Sequence, residues 1–279
     1  MKLKKIKPEK RQKYQSFDLK NKIKLSKKII KKVFDQFDWQ KIALAWTGGK
    51  DSTLLLWLIK EVGRENDFKI PKIIFVDEGD VFQEIWRFVE KITKDWQLDF
   101  SIAHNKDVSS KAEKIGDIIK VADLNQRNQE EIKRLGFAKR EFPFQPESFV
   151  GNHLMKTVAT NIWLEKNKAE VLFTGVRWDE QPARAEDDFL RRMEDPLHFR
   201  AEPILHFSEK DVWQTTHQFK IPFVDLYQQG YRSLGAKTTT DKPADKPAWE
   251  QDLEKTKERA GRQQDKEKIM ERLRALGYM

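Results

Sequence analysis

None of the 279 residues is a cysteine. This absence excludes disulfide bonds, thiolate zinc sites, cysteine-ligated iron–sulfur clusters and any mechanism in which these residues supply a thiol nucleophile. Histidine is also scarce, with five in the chain, and they are scattered rather than paired at metal-ligand spacing. We therefore predict no zinc site and name no metal-ligating side chain. His206 and His217 have apolar neighbours and are predicted at the edge of the core.

Long apolar runs are missing as well. No stretch of 18 apolar residues occurs, so no transmembrane helix and no membrane partner are predicted. The first ten residues, MKLKKIKPEK, are basic, but no apolar segment of the signal-peptide kind follows them. We expect a cytoplasmic protein.

Positive charge is concentrated at the start of the chain. Residues 1–40 contain 14 Lys and Arg against 4 Asp and Glu, whereas the remainder has 40 basic and 41 acidic residues. One interpretation is a solvated helix whose apolar positions pack inward. The other is a weak contact between residues 1–32 and nucleic acid or another polyanion. The inward positions of the first interpretation are Ile23, Leu25, Ile29, Ile30 and Val33.

Short apolar runs alternate with amphipathic helical patterns after this leader. Four runs are typical of buried parallel strands. They predict an α/β fold, a mainly parallel twisted sheet with helices on both faces, in which residues 41–235 form one domain between the leader (1–40) and a C-terminal loop and helix (236–279). The four runs are Ile42–Trp46, Lys72–Asp77, Leu98–His104 and Glu170–Gly175.

Several segments carry more local predictions. Residues 107–146 are polar and are interpreted as an insertion or a helical lid. Glu202–Phe207 is predicted as a further strand or extended segment, and Ser208–Asp211 has the form of a capping box that starts a helix. Lys237–Trp249 is polar and contains prolines, which indicates a linker or mobile loop, and a charged helix is predicted from Trp249 to Leu276.

The sequence TGGKDS (47–52) joins the first predicted strand to its helix. Glycines let a ligand approach the backbone closely, and the N-terminus of a helix attracts anions. Lys50 adds a positive charge, and the hydroxyls of Thr47 and Ser52 can donate to phosphate oxygens. Asp51 is unusual in an anion site and indicates either a helix N-terminal role or a bound magnesium ion. A Walker A loop needs a different glycine spacing.

A second polar segment, GVRWDEQPAR (175–184), follows another predicted strand. Arg177 and Arg184 can bind phosphate or sulfate oxygens in bidentate fashion, and Asp179 and Glu180 can orient them or help to hold magnesium. A surface cluster of ion pairs explains the same spacing. Lys156, Arg232 and Lys237 carry the same ambiguity between anion binding and ordinary exposed charge.

TGGKDS resembles the Ser-Gly-Gly-x-Asp-Ser loop of the PP-loop ATP pyrophosphatases, a group of adenine nucleotide α-hydrolases, with Thr47 in place of serine. The segments 72–100 and 155–187 are similar to the phosphoadenylyl-sulfate (PAPS) reductase-like family, with Glu78 as a departure in the turn of residues 76–79. EPILHFSEKDVWQTTHQFKIPFVDLY, YRSLGAKTTT and ERAGR are most similar to small subunits of sulfate adenylyltransferases. The resemblance covers about residues 42–279.

The resemblance implies ATP and Mg²⁺ as cofactors and attack on the α-phosphorus with release of pyrophosphate. Lys50, Arg177 and Arg184 are the expected catalytic residues, sulfate the expected acceptor, and a GTPase large subunit the expected partner. PAPS reductases of this family use a cysteine that the chain lacks, which argues against thiol-dependent reduction. Adenylation of another acceptor and a nucleotide-binding accessory role in a nucleic-acid complex are the alternatives. The expected cofactor-binding residues are Thr47, Gly48, Gly49, Lys50, Asp51, Ser52, Asp77, Gly79, Lys156, Gly175, Asp179, Arg232 and Lys237.

Overall fold

The computed structural model describes residues 5–180, 182–256, 258, 259, 269, 272, 273, 275, 276 and 278. Its main sheet has six strands in the order β3-β2-β1-β6-β8-β7, and within it β7 pairs antiparallel with β8 while the other pairs are parallel. A separate antiparallel pair is formed by β4 and β5. The strands are β1 Ile42–Ala45, β2 Lys72–Val76, β3 Phe100–Ala103, β4 Ile118–Lys120, β5 Glu141–Pro143, β6 Val171–Thr174, β7 Leu190–Glu194 and β8 Leu197–Ala201.

Helices cover both faces of the main sheet. Alternate residues of β1 separate into two cores, with Ile42 and Leu44 on the side of α2, α3, α4 and α9, and Ala43 on the side of α8. A π-helical stretch, His153–Val158, joins α7 to α8. The predicted α/β fold is therefore confirmed. The helices are α1 Pro8–Gln15, α2 Leu19–Gln36, α3 Lys50–Asn66, α4 Gln83–Asp95, α5 Lys106–Ser109, α6 Gln126–Arg134, α7 Phe149–Asn152, α8 Ala159–Asn167 and α9 Glu209–Gln218.

The basic leader contributes a packed layer of the fold. Ile30 and Val33 of α2 are buried in the main core, beside α3. The Ser26 hydroxyl donates to the carbonyl of Pro203 at 2.8 Å, and the buried Lys22 ammonium lies 2.6 Å from the Asp211 carboxylate. Removing the leader would therefore expose core residues as well as remove charge.

The segment 107–146 forms a small unit beside the main sheet. It contains the β4–β5 pair as well as α6, so its structure is only partly helical. Ile119, Ile132 and Phe142 form a core of their own with Leu154 and Met155 from the α7–α8 region. This unit lies against the edge of the sheet that carries the candidate site.

The strand or extended segment predicted for Glu202–Phe207 is wrong. These residues form tight turns, with Leu205 N–H donating to Glu202 O and Phe207 N–H to Ile204 O. Ile204, Leu205 and Phe207 are fully buried, so the apolar run reflects burial rather than extended structure. The strand that precedes these residues is β8 of the β7–β8 hairpin, and this hairpin was not predicted.

The C-terminal predictions have mixed outcomes. The capping box is confirmed, because the Ser208 and Asp211 side chains reciprocally cap α9. The helix predicted from Trp249 is wrong at its start, where Ala248–Glu250 is a 3₁₀ turn and residues 253–255 form a turn. Most of its remainder lies outside the described residues. In the predicted linker, Thr239 and Thr240 are buried.

Candidate functional site

A cavity of about 330 Å³ opens at the carboxyl ends of β1, β2 and β6. Open parallel sheets place their ligands at this edge. The lining combines apolar side chains with the 47–52 loop and several charged side chains. Its apolar members include Ala45, Phe75, Val76, Leu172 and Val176.

The 47–52 loop leads directly into α3, which starts at Lys50. Gly48 has a φ of +74°, in the left-handed region that glycine favours. The Lys50 N–H donates to the Tyr227 hydroxyl at 3.0 Å, and the Thr47 and Ser52 hydroxyls lie 3.2 Å apart. A Cβ on Gly175 would come within 2.8 Å of the Ser52 backbone. A glycine is therefore required where the end of β6 meets the start of α3.

The Glu258 carboxylate occupies the cationic centre of the cavity. One of its oxygens contacts Lys50 Nζ, and the other contacts the Arg177 guanidinium. Arg177 is fully buried and also pairs with Asp51 and, at 2.9 Å, with Asp179. The two cations at the start of α3 thus already hold an anionic group, supplied by the C-terminal part of the chain.

These contacts control the ionisation of the centre. Burial alone would lower the pKa of Lys50, but the nearby carboxylates of Asp51 and Glu258 outweigh it and raise that pKa well above its usual value. Burial opposes ionisation of Glu258 too, yet Arg177 and Lys50 lower its pKa to about 2. Lys50 and Glu258 are therefore both charged at neutral pH.

Arg232 fixes the segment that carries Glu258. Its guanidinium pairs with Glu209 at 2.8 Å and donates to the carbonyls of Leu253 at 3.3 Å and Thr256 at 3.2 Å. Close by, the Arg259 guanidinium lies 3.2 Å from the Glu180 carboxylate. Arg232 is thus a buried link between α9 and residues 252–256 in this arrangement.

Eight of the predicted site residues line the cavity: Thr47, Gly49, Lys50, Asp51, Ser52, Lys156, Gly175 and Arg184.

The other predicted site residues lie outside the lining, and Arg177 lies directly behind it. The Asp77 carboxylate accepts from Gly79 N–H at 2.9 Å and lies 3.3 Å from His104. Lys237 is exposed outside the cavity. The remaining residues outside the lining are Gly48, Asp179 and Arg232.

Lys156 has a specific partner in the cavity wall. Its ammonium lies 2.6 Å from the carboxylate of Glu78, the residue that departs from the family turn. The departure thus adds a negative charge that the neighbouring Lys156 ammonium neutralises.

Several residues that line the site were not predicted, among them Tyr227, Arg200 and Glu258. Tyr227 and Arg200 line the cavity, and Glu258 fills its cationic centre. Tyr227 lies in an apolar segment that indicated only packing. Glu258 lies in a charged tail where nothing distinguishes it from its neighbours. The alternation of Arg200 with Phe199 and Ala201 is the one signal by which its strand could have been found.

The described residues form a mainly parallel α/β sheet with helices on both faces and a cavity at the carboxyl ends of its strands. A profile of the phosphoadenosine phosphosulfate reductase domain matches residues 41–242. The chain therefore belongs to the phosphoadenosine phosphosulfate reductase domain family.

Named relatives in this family differ in activity. The chain is 23% identical over 205 residues to a phosphoadenosine 5′-phosphosulfate reductase of Xanthomonas campestris, covering 72% of each chain. It is 26% identical over 202 residues to sulfate adenylyltransferase subunit 2 of Methylorubrum extorquens, covering 64% of this chain and 56% of that protein. Membership of this family thus indicates a function in nucleotide-related sulfur metabolism or adenylyl transfer.

Solved structures of other proteins share this fold. FMN adenylyltransferase of Candida glabrata superposes with a TM-score of 0.63 at 17% identity, covering 91% of this chain and 94% of that chain. At this identity the likeness concerns the fold. No helix among the described residues is long and apolar enough to cross a membrane.

Proposed function

We propose that the protein transfers the adenylyl group of ATP to an oxyanion, with sulfate as the acceptor, and releases pyrophosphate. The observation that carries this proposal is the binding of the Glu258 carboxylate by Lys50 and Arg177 at the start of α3. Such a cationic centre at a helix N-terminus suits a phosphate group. These 279 residues hold no thiol, so a reduction through a protein thiol would need one from elsewhere.

ATP binding requires Glu258 to leave the centre. A triphosphate bound by Lys50 and Arg177 would lie beside the Glu258 carboxylate, and the two negative charges repel each other. Both anions also need the same donors on Lys50 and Arg177. Once the carboxylate has moved, the phosphates lie along the 47–52 loop. The adenine ring packs against apolar lining residues on the face of the sheet that carries Val76 and Leu172.

Magnesium fits this arrangement as an ion that enters with the nucleotide. Among the described residues, no group of three or more His, Asp or Glu side chains forms a metal site by itself. Asp51 lines the cavity 3.5 Å from Lys50 Nζ and is the carboxylate we assign to face the ion. Bound Mg²⁺ neutralises phosphate charge during displacement reactions.

The chain's own groups act by position and charge. Lys50 stabilises the negative charge that develops on the phosphoryl oxygens, and Arg177 joins it when Glu258 has left. Asp51 and Asp179 hold the Arg177 guanidinium in place. No side-chain nucleophile is required, because the acceptor oxyanion attacks the α-phosphorus directly.

A partner subunit is part of the proposal. One relative is named as a subunit 2 of sulfate adenylyltransferase, and the resemblance of the C-terminal segments implies a GTPase large subunit. A partner that engages residues near Glu258 would also move that carboxylate. We therefore expect weak activity from the chain alone and stronger activity in the assembly.

The test is pyrophosphate release from ATP and Mg²⁺, with and without sulfate. We expect release that depends on sulfate and falls at least about a hundredfold in Lys50→Ala, because one charge at the reacting phosphates is lost. Lys91→Ala removes an exposed lysine on α4 and should leave the rate unchanged. Equal rates in both variants, or no release with any small oxyanion, would reject the proposal.

A second candidate is suggested by the leader helix. Lys20, Lys24, Lys28 and Lys32 follow one another at four-residue spacing on α2, are exposed, and have no ion-pair partner among the described residues. Like charges at this spacing destabilise a helix, so the stripe favours a polyanion contact. A nucleotide-binding accessory role at nucleic acid is the function that this stripe would support.

A further inference from the structure

The cavity has a second group of charges, separate from Lys50 and Arg177. The 182–188 turn and the β7–β8 hairpin bring Arg184, Arg191 and Arg200 together with the carboxylates of Asp187 and Glu202. Arg184, Arg200 and Glu202 line the cavity. The group therefore contains three guanidinium cations and two carboxylates.

Arg191 binds both carboxylates. Its Nη2 lies 2.7 Å from Glu202 Oε1, and its Nε lies 3.3 Å from Glu202 Oε2. On the other side, Nη1 lies 3.4 Å from Asp187 Oδ1. Arg191 is buried, so it is the structural cation of the group.

Arg184 and Arg200 are left with weaker neutralisation. Arg184 Nη1 is 4.0 Å from both Asp187 and Glu202, and its Nε makes no hydrogen bond with the part of the chain that the structure describes. Arg200 makes no hydrogen bond or ion pair with any described residue, and its Nε is buried. Buried guanidinium donors without acceptors are costly.

The ionisation of Arg200 agrees with this geometry. Burial and then the neighbouring Arg191 lower its pKa to about 10, although Glu202 acts in the opposite direction. An anion beside Arg200 would stabilise the charged form of its guanidinium. Since two arginines that no described side chain neutralises well line one cavity, their arrangement favours an external anion as the partner.

We propose that Arg184 and Arg200 form the subsite that binds the acceptor oxyanion. This inference rests on the proposed adenylyl transfer and changes its residue assignment, because Arg200 takes the place that the sequence pattern gave to Arg177. Arg177 serves the phosphate centre, where it is held by Asp51 and Asp179. The ligand class is a compact oxyanion, sulfate or the phosphate group of a larger acceptor, that accepts hydrogen bonds from two guanidinium groups.

Direct binding tests this subsite without turnover. We would titrate sulfate, and separately inorganic phosphate and a phosphomonoester, into the protein by calorimetry at constant ionic strength. Each titration would be done with and without a non-hydrolysable ATP analogue. Arg200→Gln and Arg184→Gln should each weaken oxyanion binding by about tenfold or more. A preference for sulfate would identify a free oxyanion as the ligand, and a preference for the phosphomonoester would identify a larger acceptor.

Arg192→Gln is the matched control. Arg192 lies on β7 beside Arg191 but is exposed, and it pairs only with Glu194 at 3.6 Å among the described residues. Its loss should not alter oxyanion binding. Arg200→Lys should retain part of the affinity. Because the Arg200 side chain makes no hydrogen bond to any described residue, none of its variants should unfold the protein.

The outcomes separate this inference from the proposed function. If Arg200→Gln abolishes oxyanion binding but the wild type releases no pyrophosphate, the subsite stands and adenylyl transfer fails. If pyrophosphate is released and Arg200→Gln leaves the KM for sulfate at the Arg192→Gln value, the subsite is wrong. Wild-type affinities that match those of Arg200→Gln in every titration would also overturn it.

Discussion

Glu258 forms an ion pair with Lys50 inside the cavity, although the two residues are 208 positions apart in the chain. The lysine starts α3 at the end of the glycine loop, and the carboxylate comes from the C-terminal segment. Access of a phosphate to Lys50 is therefore linked to the position of that segment. The following predictions begin with this pair.

Glu258→Gln should tighten ATP binding. The variant removes the negative charge that competes for Lys50 and Arg177, so a larger fraction of the protein is competent to bind. We expect the Kd for ATP to fall about tenfold in calorimetric titrations. Glu254→Gln, an exposed residue of the same segment that pairs with Lys210, should leave the Kd unchanged. A weaker Kd in Glu258→Gln would show that the carboxylate assists ATP binding instead.

The same pair predicts an acid dependence of stability. The pKa of Glu258 is lowered to about 2, so its stabilising contribution is complete above the unfolded value of about 4.5 and is lost as the pH falls towards 2. Urea unfolding of the wild type should therefore lose free energy more steeply between pH 4.5 and 3 than unfolding of Glu258→Gln. Parallel curves for the two proteins would contradict the buried ion pair.

His206 predicts a second pH effect in a different range. It is fully buried, and its Nε2 lies 3.0 Å from the carbonyl of Lys22. Burial lowers its pKa to about 4, so the folded state favours the neutral ring. Stability is then present above about pH 6.5 and decreases as the pH falls towards 4, on the order of 2 kcal/mol by pH 5.

His206→Gln tests this effect because it keeps a hydrogen-bond donor for the carbonyl. The variant should have a lower free energy of unfolding at pH 7, and that energy should change less between pH 7 and pH 5 than in the wild type. His217→Gln, on the last turn of α9, serves as the control. Identical pH dependence in wild type and His206→Gln would refute the assignment.

The lysine stripe of α2 predicts salt-dependent binding to nucleic acid if it contacts phosphates. Lys24→Gln with Lys28→Gln should reduce the slope of log K against log salt by about 2. Lys111→Gln with Lys114→Gln, at exposed positions of the small unit, is the control of equal charge. Truncation of residues 1–32 is a poorer test, because it removes the core residue Ile30. If neither the wild type nor the control variant binds nucleic acid, the lysine stripe is a solvated helix face.

The sequence predicted the positions of four main strands and a mainly parallel sheet, but not the order of the strands. Continuous apolar runs and amphipathic helices indicated four of the parallel strands correctly, because burial on both faces imposes that pattern. The β7–β8 hairpin was missed because charged residues interrupt its apolar alternation. Its inward arginines follow no local pattern: Arg191 is held by tertiary ion pairs with Asp187 and Glu202, and Arg200 lines the cavity.

The candidate site was partly predictable for a similar reason. The glycine loop and Arg177 lie directly after strands, so local spacing places them at one edge of the sheet. Glu258 and Arg200 reach the cavity through long-range packing, and no short sequence motif indicates that they belong to the site. The sequence left Arg232 and Lys237 open between anion binding and ordinary exposed charge; in the structure Arg232 holds the C-terminal segment and Lys237 is exposed.

Adenylyl transfer is tested most directly by following the α-phosphorus of ATP. The protein would be incubated with Mg²⁺, sulfate and ATP labelled at that position, alone and with the proposed GTPase large subunit. The account predicts that the label appears in adenylyl sulfate while unlabelled pyrophosphate is released, and that Lys50→Ala abolishes both. Label that remains in ATP under all conditions, or that is recovered in ADP, would contradict it.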